Sequence, residues 1–81
     1  MNWDFAGMTV VGLYMGEIPV RGLCTLSRVK YGGGISHHIT LDESFDAGYA
    51  KREAGEGIIL DNRDVERVID RFVTESVLDT I

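Results

Sequence analysis

Among 81 residues there is one cysteine, one proline and one tryptophan. A lone Cys24 excludes a disulfide within this chain, the usual staple of small secreted domains. It fits a reducing setting, so a cytoplasmic location is expected. One cysteine and two histidines, with no CxxC or HExxH spacing, fall short of a structural zinc tetrad, and no metal is expected. GxxxxGK[ST] is also missing, and the glycine triplet leads into a strand pattern rather than a helix, so neither a phosphate loop nor a cofactor is expected. No basic start precedes a long apolar run, so no signal peptide, transmembrane helix or membrane partner is expected.

Cations are few. Eight Lys and Arg face thirteen Asp and Glu, for a net charge of -5. This balance argues against broad adhesion to nucleic acid or anionic membrane. The deficit is uneven, however. Residues 1–41 hold two acids and three bases, whereas 42–81 hold eleven acids and five bases. The first half has room for a local basic face. No nucleophile and base, or acid and base, stand at a recognisable catalytic spacing, so a non-enzyme is expected.

What is present reads mostly as strand. Thr9–Met15, "TVVGLYM", is rich in β-branched and aromatic residues. After the turn "GEIP", Val20–Tyr31 reads as a long second strand with Val20, Gly22, Cys24 and Leu26 on one face. Strict alternation would then bury Arg28 and Lys30. A one-residue bulge near Ser27 restores the pattern and turns Val29 and Tyr31 inward. Ile35–Leu41 is a third strand, joined to the second by Gly32–Gly34 as a hairpin turn. Gly57–Leu60 is a short fourth strand.

From Asp61 onward, Val65, Val68, Ile69, Phe72, Val73 and Val77 recur at helical spacing, which predicts an amphipathic helix over 61–81. The expected fold is thus a single α+β domain. It has a strongly bent antiparallel sheet or small barrel of about four strands over 1–60, with one helix covering it. Val11, Leu13, Leu23 or Cys24, Leu26, Ile39, Leu41, Ile59, Val68, Ile69 and Phe72 are its expected core.

"YMGEIPVRGLCTLSRV" is a strand, a tight turn and a long bent strand. It resembles the SH3-like and Sm-like small β-barrels. The short, glycine-rich, single-cysteine chain also resembles the small accessory proteins of bacteriophages. That likeness implies an inhibitor of a host protein acting in the host cytoplasm.

Residues with binding chemistry cluster in "RVKYGGGISHH". Neighbours on a strand face opposite ways. His37 therefore shares the apolar face with Ile35 and Ile39 and is expected to be buried and hydrogen-bonded. His38 shares the other face with Ser36 and Thr40, within reach of Arg28 and Lys30. That patch reads either as a solvated hairpin or as a site for a carboxylate or phosphate. Tyr31, with Tyr49, Lys51 and Arg52 in the 42–57 connection, adds an aromatic-and-cation set suited to base stacking. The same connection places Asp42, Ser44, Asp46 and Glu53 at four positions of a calcium loop, but Ala47 stands where that loop needs glycine.

Two kinds of function remain. The first is a non-enzymatic protein that occupies a partner's surface. The second is binding of RNA, single-stranded nucleic acid or a nucleotide through Arg28, Lys30, Tyr31 and His38. A chain this short buries little apolar area, so a homo-oligomer is also expected.

Overall fold

Two adjacent valines in Thr9–Tyr14 favour extended chain, because β-branched side chains lose rotamer freedom on a helix. The computed structural model describes residues 3–69, and strand prevails throughout them. The strands are β1 (Thr9–Tyr14), β2 (Ile18–Val29), β3 (Ile35–Leu41), β4 (Phe45–Asp46), β5 (Lys51–Arg52), β6 (Gly57–Asp61) and β7 (Val65–Ile69). Among the described residues the one helical element is a 3-10 turn, Asn62–Asp64. At the hairpin between β2 and β3, Gly32, Gly33 and Gly34 have φ of 87°, 100° and 81°. The Lys30 N–H closes that turn on the Gly34 carbonyl at 2.9 Å.

The α+β expectation is overturned. The region assigned to a C-terminal helix begins with the 3-10 turn and continues as β7, antiparallel to β1. Residues 70–81, including Phe72, Val73 and Val77, lie outside the described residues. The sheet also has more than the four strands expected.

The misreading has a physical cause. Gly12 pairs with Val65 and Val11 with Arg67, so Glu66 is bulged out of the ladder. A bulge puts residues i and i+3 on one face. Val65 and Val68 accordingly both pack on the core, at the spacing a helix would also produce.

The same device operates in β2. The register slips between Cys24 and Leu26, which makes Thr25 the extra residue. The bulge thus precedes the expected position by two residues. Cys24 and Ser27 are buried, while Leu26, Val29 and Tyr31 are exposed.

Five strands form one antiparallel sheet in the order β6-β3-β2-β1-β7, and β4 pairs with β5 separately. The edge strands β6 and β7 are consecutive in the chain. In a flat sheet they would lie about 19 Å apart, four strand spacings. Four Cα steps reach about 14 Å even when extended. The sheet must therefore curl. Gly12 marks the closest approach: a Cβ there would overlap the Asp64 carbonyl oxygen and sit 3.1 Å from Leu60 Cδ1.

Inside the curl lie Val10, Ile18, Val20, Cys24, Ile39, Leu41, Ile58 and Leu60. Each fully buried aliphatic side chain contributes about 1.5–3 kcal/mol of transfer free energy. Cys24, Ile39 and Leu41 are core as expected. Val11 and Leu13 are only half-buried, and β6 is one residue out of the expected phase: Ile58 and Leu60 point in, Ile59 out.

Candidate functional site

Pairing across β2, β3 and β6 sets the side chains in rows. Ser27, His37 and Leu60 form an inner row. Leu26, His38 and Ile59 form the next row on the outer face, followed by Arg28, Ser36 and Asp61. The outer face thus carries aliphatic, imidazole and aliphatic groups beside cation, hydroxyl and acid.

The inner row holds a buried polar chain. His37 has no exposed surface and stacks on Phe5, with ring centroids 4.6 Å apart. Its Nε2 lies 2.8 Å from Asn62 Oδ1, and its Nδ1 lies 2.7 Å from Ser27 Oγ. An amide oxygen only accepts, so Nε2 carries the proton and Nδ1 accepts from the serine. Ser27 Oγ in turn accepts the Phe5 N–H at 3.0 Å. The order serine, histidine, asparagine has the connectivity of a nucleophilic triad, but Ser27 and His37 are buried and do not line the open cleft on the outer face. The chain ties the N-terminal segment and the 3-10 turn to the sheet.

Around the outer rows lies an open cleft of about 480 Å³. Arg28, Lys30, Ser36, His38, Ile59 and Asp61 line one side; Tyr14, Met15 and Asp64 supply the rest. The structure therefore brings Arg28, Lys30 and His38 together, as the hairpin pattern suggested. It also brings acids to them. Lys30 Nζ lies 3.5 Å from Asp61 Oδ2, and Arg63 Nε lies 3.6 Å from the same oxygen. Desolvation pushes the Asp61 carboxyl upward, but the Arg63 backbone N–H, the Lys30 and Arg63 charges and the Lys30 hydrogen bond together hold it below the usual carboxylate range. Among the described residues, Arg28 and Asp64 form no ion pair.

Tyr31, Tyr49 and Lys51 do not join the cleft. Tyr31 projects fully exposed beside the glycine turn. Tyr49 donates its hydroxyl to Glu17 Oε1, which raises the phenol's pKa; burial and the Glu17 charge push the same way. Arg52 stands behind the cleft wall, its guanidinium 5.9 Å from the Tyr14 ring centroid and 3.5 Å from the Tyr14 hydroxyl. Tyr14 also packs on Phe45, at 5.7 Å between ring centroids. The β4–β5 hairpin is thereby clasped to the turn between β1 and β2. The calcium-like pattern is a local turn instead: Asp46 Oδ1 accepts the Gly48 N–H at 2.9 Å. Among the described residues, no group of three or more His, Cys, Asp or Glu side chains is placed to hold a metal ion.

Comparison with family models, curated proteins and solved structures returned no match.

Sequence reasoning missed Tyr14, Met15, Leu26, Ile59, Asp61 and Asp64 as members of this surface. One signal was available. Ile58, Ile59 and Leu60 are consecutive, and alternation forces one apolar residue of such a strand outward. Met15 is missed for a different reason. Its φ of 56° makes it the one non-glycine residue with positive φ among those described, a conformation no composition rule assigns to methionine. It is 62% exposed.

Among the described residues, no helix is long and apolar enough to cross a membrane.

Proposed function

We propose that this chain is a small non-enzymatic binding protein that acts by covering part of a partner protein's surface. The contact is the outer face of β2, β3 and β6 with its cleft. The row Leu26–His38–Ile59 carries this reading. Leu26 is 48% and Ile59 55% exposed, and they flank His38 in one row of the sheet face. Large aliphatic groups displayed together beside a charged row are what a protein interface needs: an apolar centre and a polar rim. Met15 adds to it, because backbone strain is retained where the displayed side chain is used.

Nucleotide or nucleic-acid binding is the second reading, favoured by Arg28, Lys30 and His38 lining one cleft. Asp61 and Asp64 in the same cleft weigh against it. They offset the two cations, and a phosphate backbone would meet both acids. The exposed Tyr31 lies outside that cleft, so base stacking and phosphate contact would not converge.

Capture from a cell extract separates the readings, with wild type and Leu26→Glu compared before and after nuclease. A discrete protein that survives nuclease and is lost with Leu26→Glu supports the protein-partner reading. Capture abolished by nuclease, with salt-sensitive oligonucleotide binding that needs Arg28 and Lys30, replaces it with the second.

A further inference from the structure

The outer rows have a symmetry that a partner of unrelated shape would not require. Arg28 and Asp61 stand at opposite ends of a row centred on Ser36, and Leu26 and Ile59 at opposite ends of a row centred on His38. Each end lies one strand spacing, about 4.8 Å, from β3, and the rows lie about 7 Å apart along the strands. Consider a two-fold axis running along β3, just above the sheet. It lays a second copy face to face on the first and exchanges the two ends of every row. Arg28 then meets Asp61 of the second copy, and Asp61 meets its Arg28. Leu26 meets Ile59 twice in the same way. A closed two-fold interface requires this self-complementarity, in which residue i contacts j and j contacts i.

We infer that the outer face of β2, β3 and β6 pairs two copies of this chain about a two-fold axis along β3, through two Arg28–Asp61 contacts and two Leu26–Ile59 contacts.

The charges favour this occupant. Arg28 has no ion-pair partner among the described residues, and Asp61 already gathers cations, holding Lys30 and Arg63 with one of its two oxygens. A carboxylate has about four acceptor sites, so Asp61, which takes Lys30, Arg63 and the Arg63 backbone N–H, still has room for a guanidinium. Two like-charged ends would repel their images; here each end meets its opposite. Both aliphatic ends are exposed in the single chain and would be covered in the pair. The inference shares its face with the proposed function but not its partner. It is read on the purified chain alone, so its failure leaves the capture result standing.

Charge exchange tests it by sedimentation equilibrium from about 10 µM to about 1 mM. Wild type is expected to dimerise within that range. Arg28→Asp sets acid against acid twice, and Asp61→Arg sets cation against cation twice, so each variant should weaken dimerisation by about tenfold or more. An equimolar mixture of the two single variants should form a heterodimer, because every contact is then between opposite charges. The double variant should recover self-association. Far-UV circular dichroism checks folding. Should Asp61→Arg fail to fold, Leu26→Glu and Arg28→Asp, both at exposed positions, carry the test: each must weaken the dimer. A wild type that stays monomeric across the range overturns the inference. So does a dimer that tolerates both of those variants, or folded single variants that do not pair when mixed.

Discussion

Ser27 Oγ lies 2.7 Å from His37 Nδ1 in the interior of the curled sheet. The two residues are directly opposed on β2 and β3, and the bulge at Thr25 is what turns Ser27 inward to meet the ring. Were the ladder to continue from Cys24–Ile39 without the bulge, Leu26 would face His37, and the imidazole would lose its donor.

Ser27→Ala is therefore expected to destabilise more than its size suggests. It strands the His37 Nδ1 acceptor and the Phe5 N–H, both supplied by this one hydroxyl. A buried group left unpaired costs about 1–3 kcal/mol. Urea unfolding measures it. A change below about 0.5 kcal/mol, the scale of an ordinary surface substitution, would mean that water replaces the hydroxyl.

Two glycines should separate space from backbone conformation. At Gly22 a Cβ would overlap the Thr40 carbonyl oxygen and lie 2.7 Å from Ile39 Cγ2. Gly22→Ala forces β2 and β3 apart, and overpacking of this kind costs about 1–3 kcal/mol or more. At Gly33 nothing lies near, and only the φ of 100° resists a side chain. Gly33→Val is thus expected to cost about 1–2 kcal/mol. Equal thermal melting of Gly33→Val and wild type would show that the hairpin accepts another turn geometry.

Met15→Gly should split stability from binding. Glycine relieves the positive φ of 56°, so the melting temperature should hold or rise, by up to about 1 kcal/mol in stability. The side chain that lines the cleft is lost, and partner binding should weaken. Binding unchanged in a stabilised variant would assign Met15 to the turn alone.

Tyr49 and Glu17 give an alkaline signature. The Tyr49 phenol is raised above its free value of about 10, first by its hydrogen bond to Glu17, then by burial and the Glu17 charge. A raised value means that the folded state holds the proton more tightly than the unfolded chain. The contribution is complete below the unfolded pKa and is lost as pH rises through the folded one. Tyr49→Phe should flatten stability against pH in that alkaline window and remove the phenolate absorbance step above the usual range. An unchanged alkaline slope would show that the clasp on the β1–β2 turn does not contribute.

Local chemistry determined much of this molecule. The Val10–Val11 pair and alternation made Thr9–Tyr14 and Ile35–Leu41 strands, and three glycines made the turn that sets Arg28 opposite Ser36 and brings Lys30 and His38 to the same cleft. Those preferences act within a few residues, so they are legible in order along the chain. The placement of His37 inside and His38 outside follows from the same period of two.

Tertiary structure decided the rest. Val65 and Val68 suit a helix or a bulged strand equally by spacing. The unpaired edge of β1, about fifty residues earlier in the chain, settled the matter by offering backbone donors and acceptors to β7. Likewise, only the register of β2 on β3 places the bulge at Thr25 rather than near Ser27, and so exposes Leu26 beside His38 and Ile59. A bulge costs one residue wherever it occurs along a strand. Its position is set by which partner side chains must be packed and which hydrogen bonds closed, and those belong to other strands.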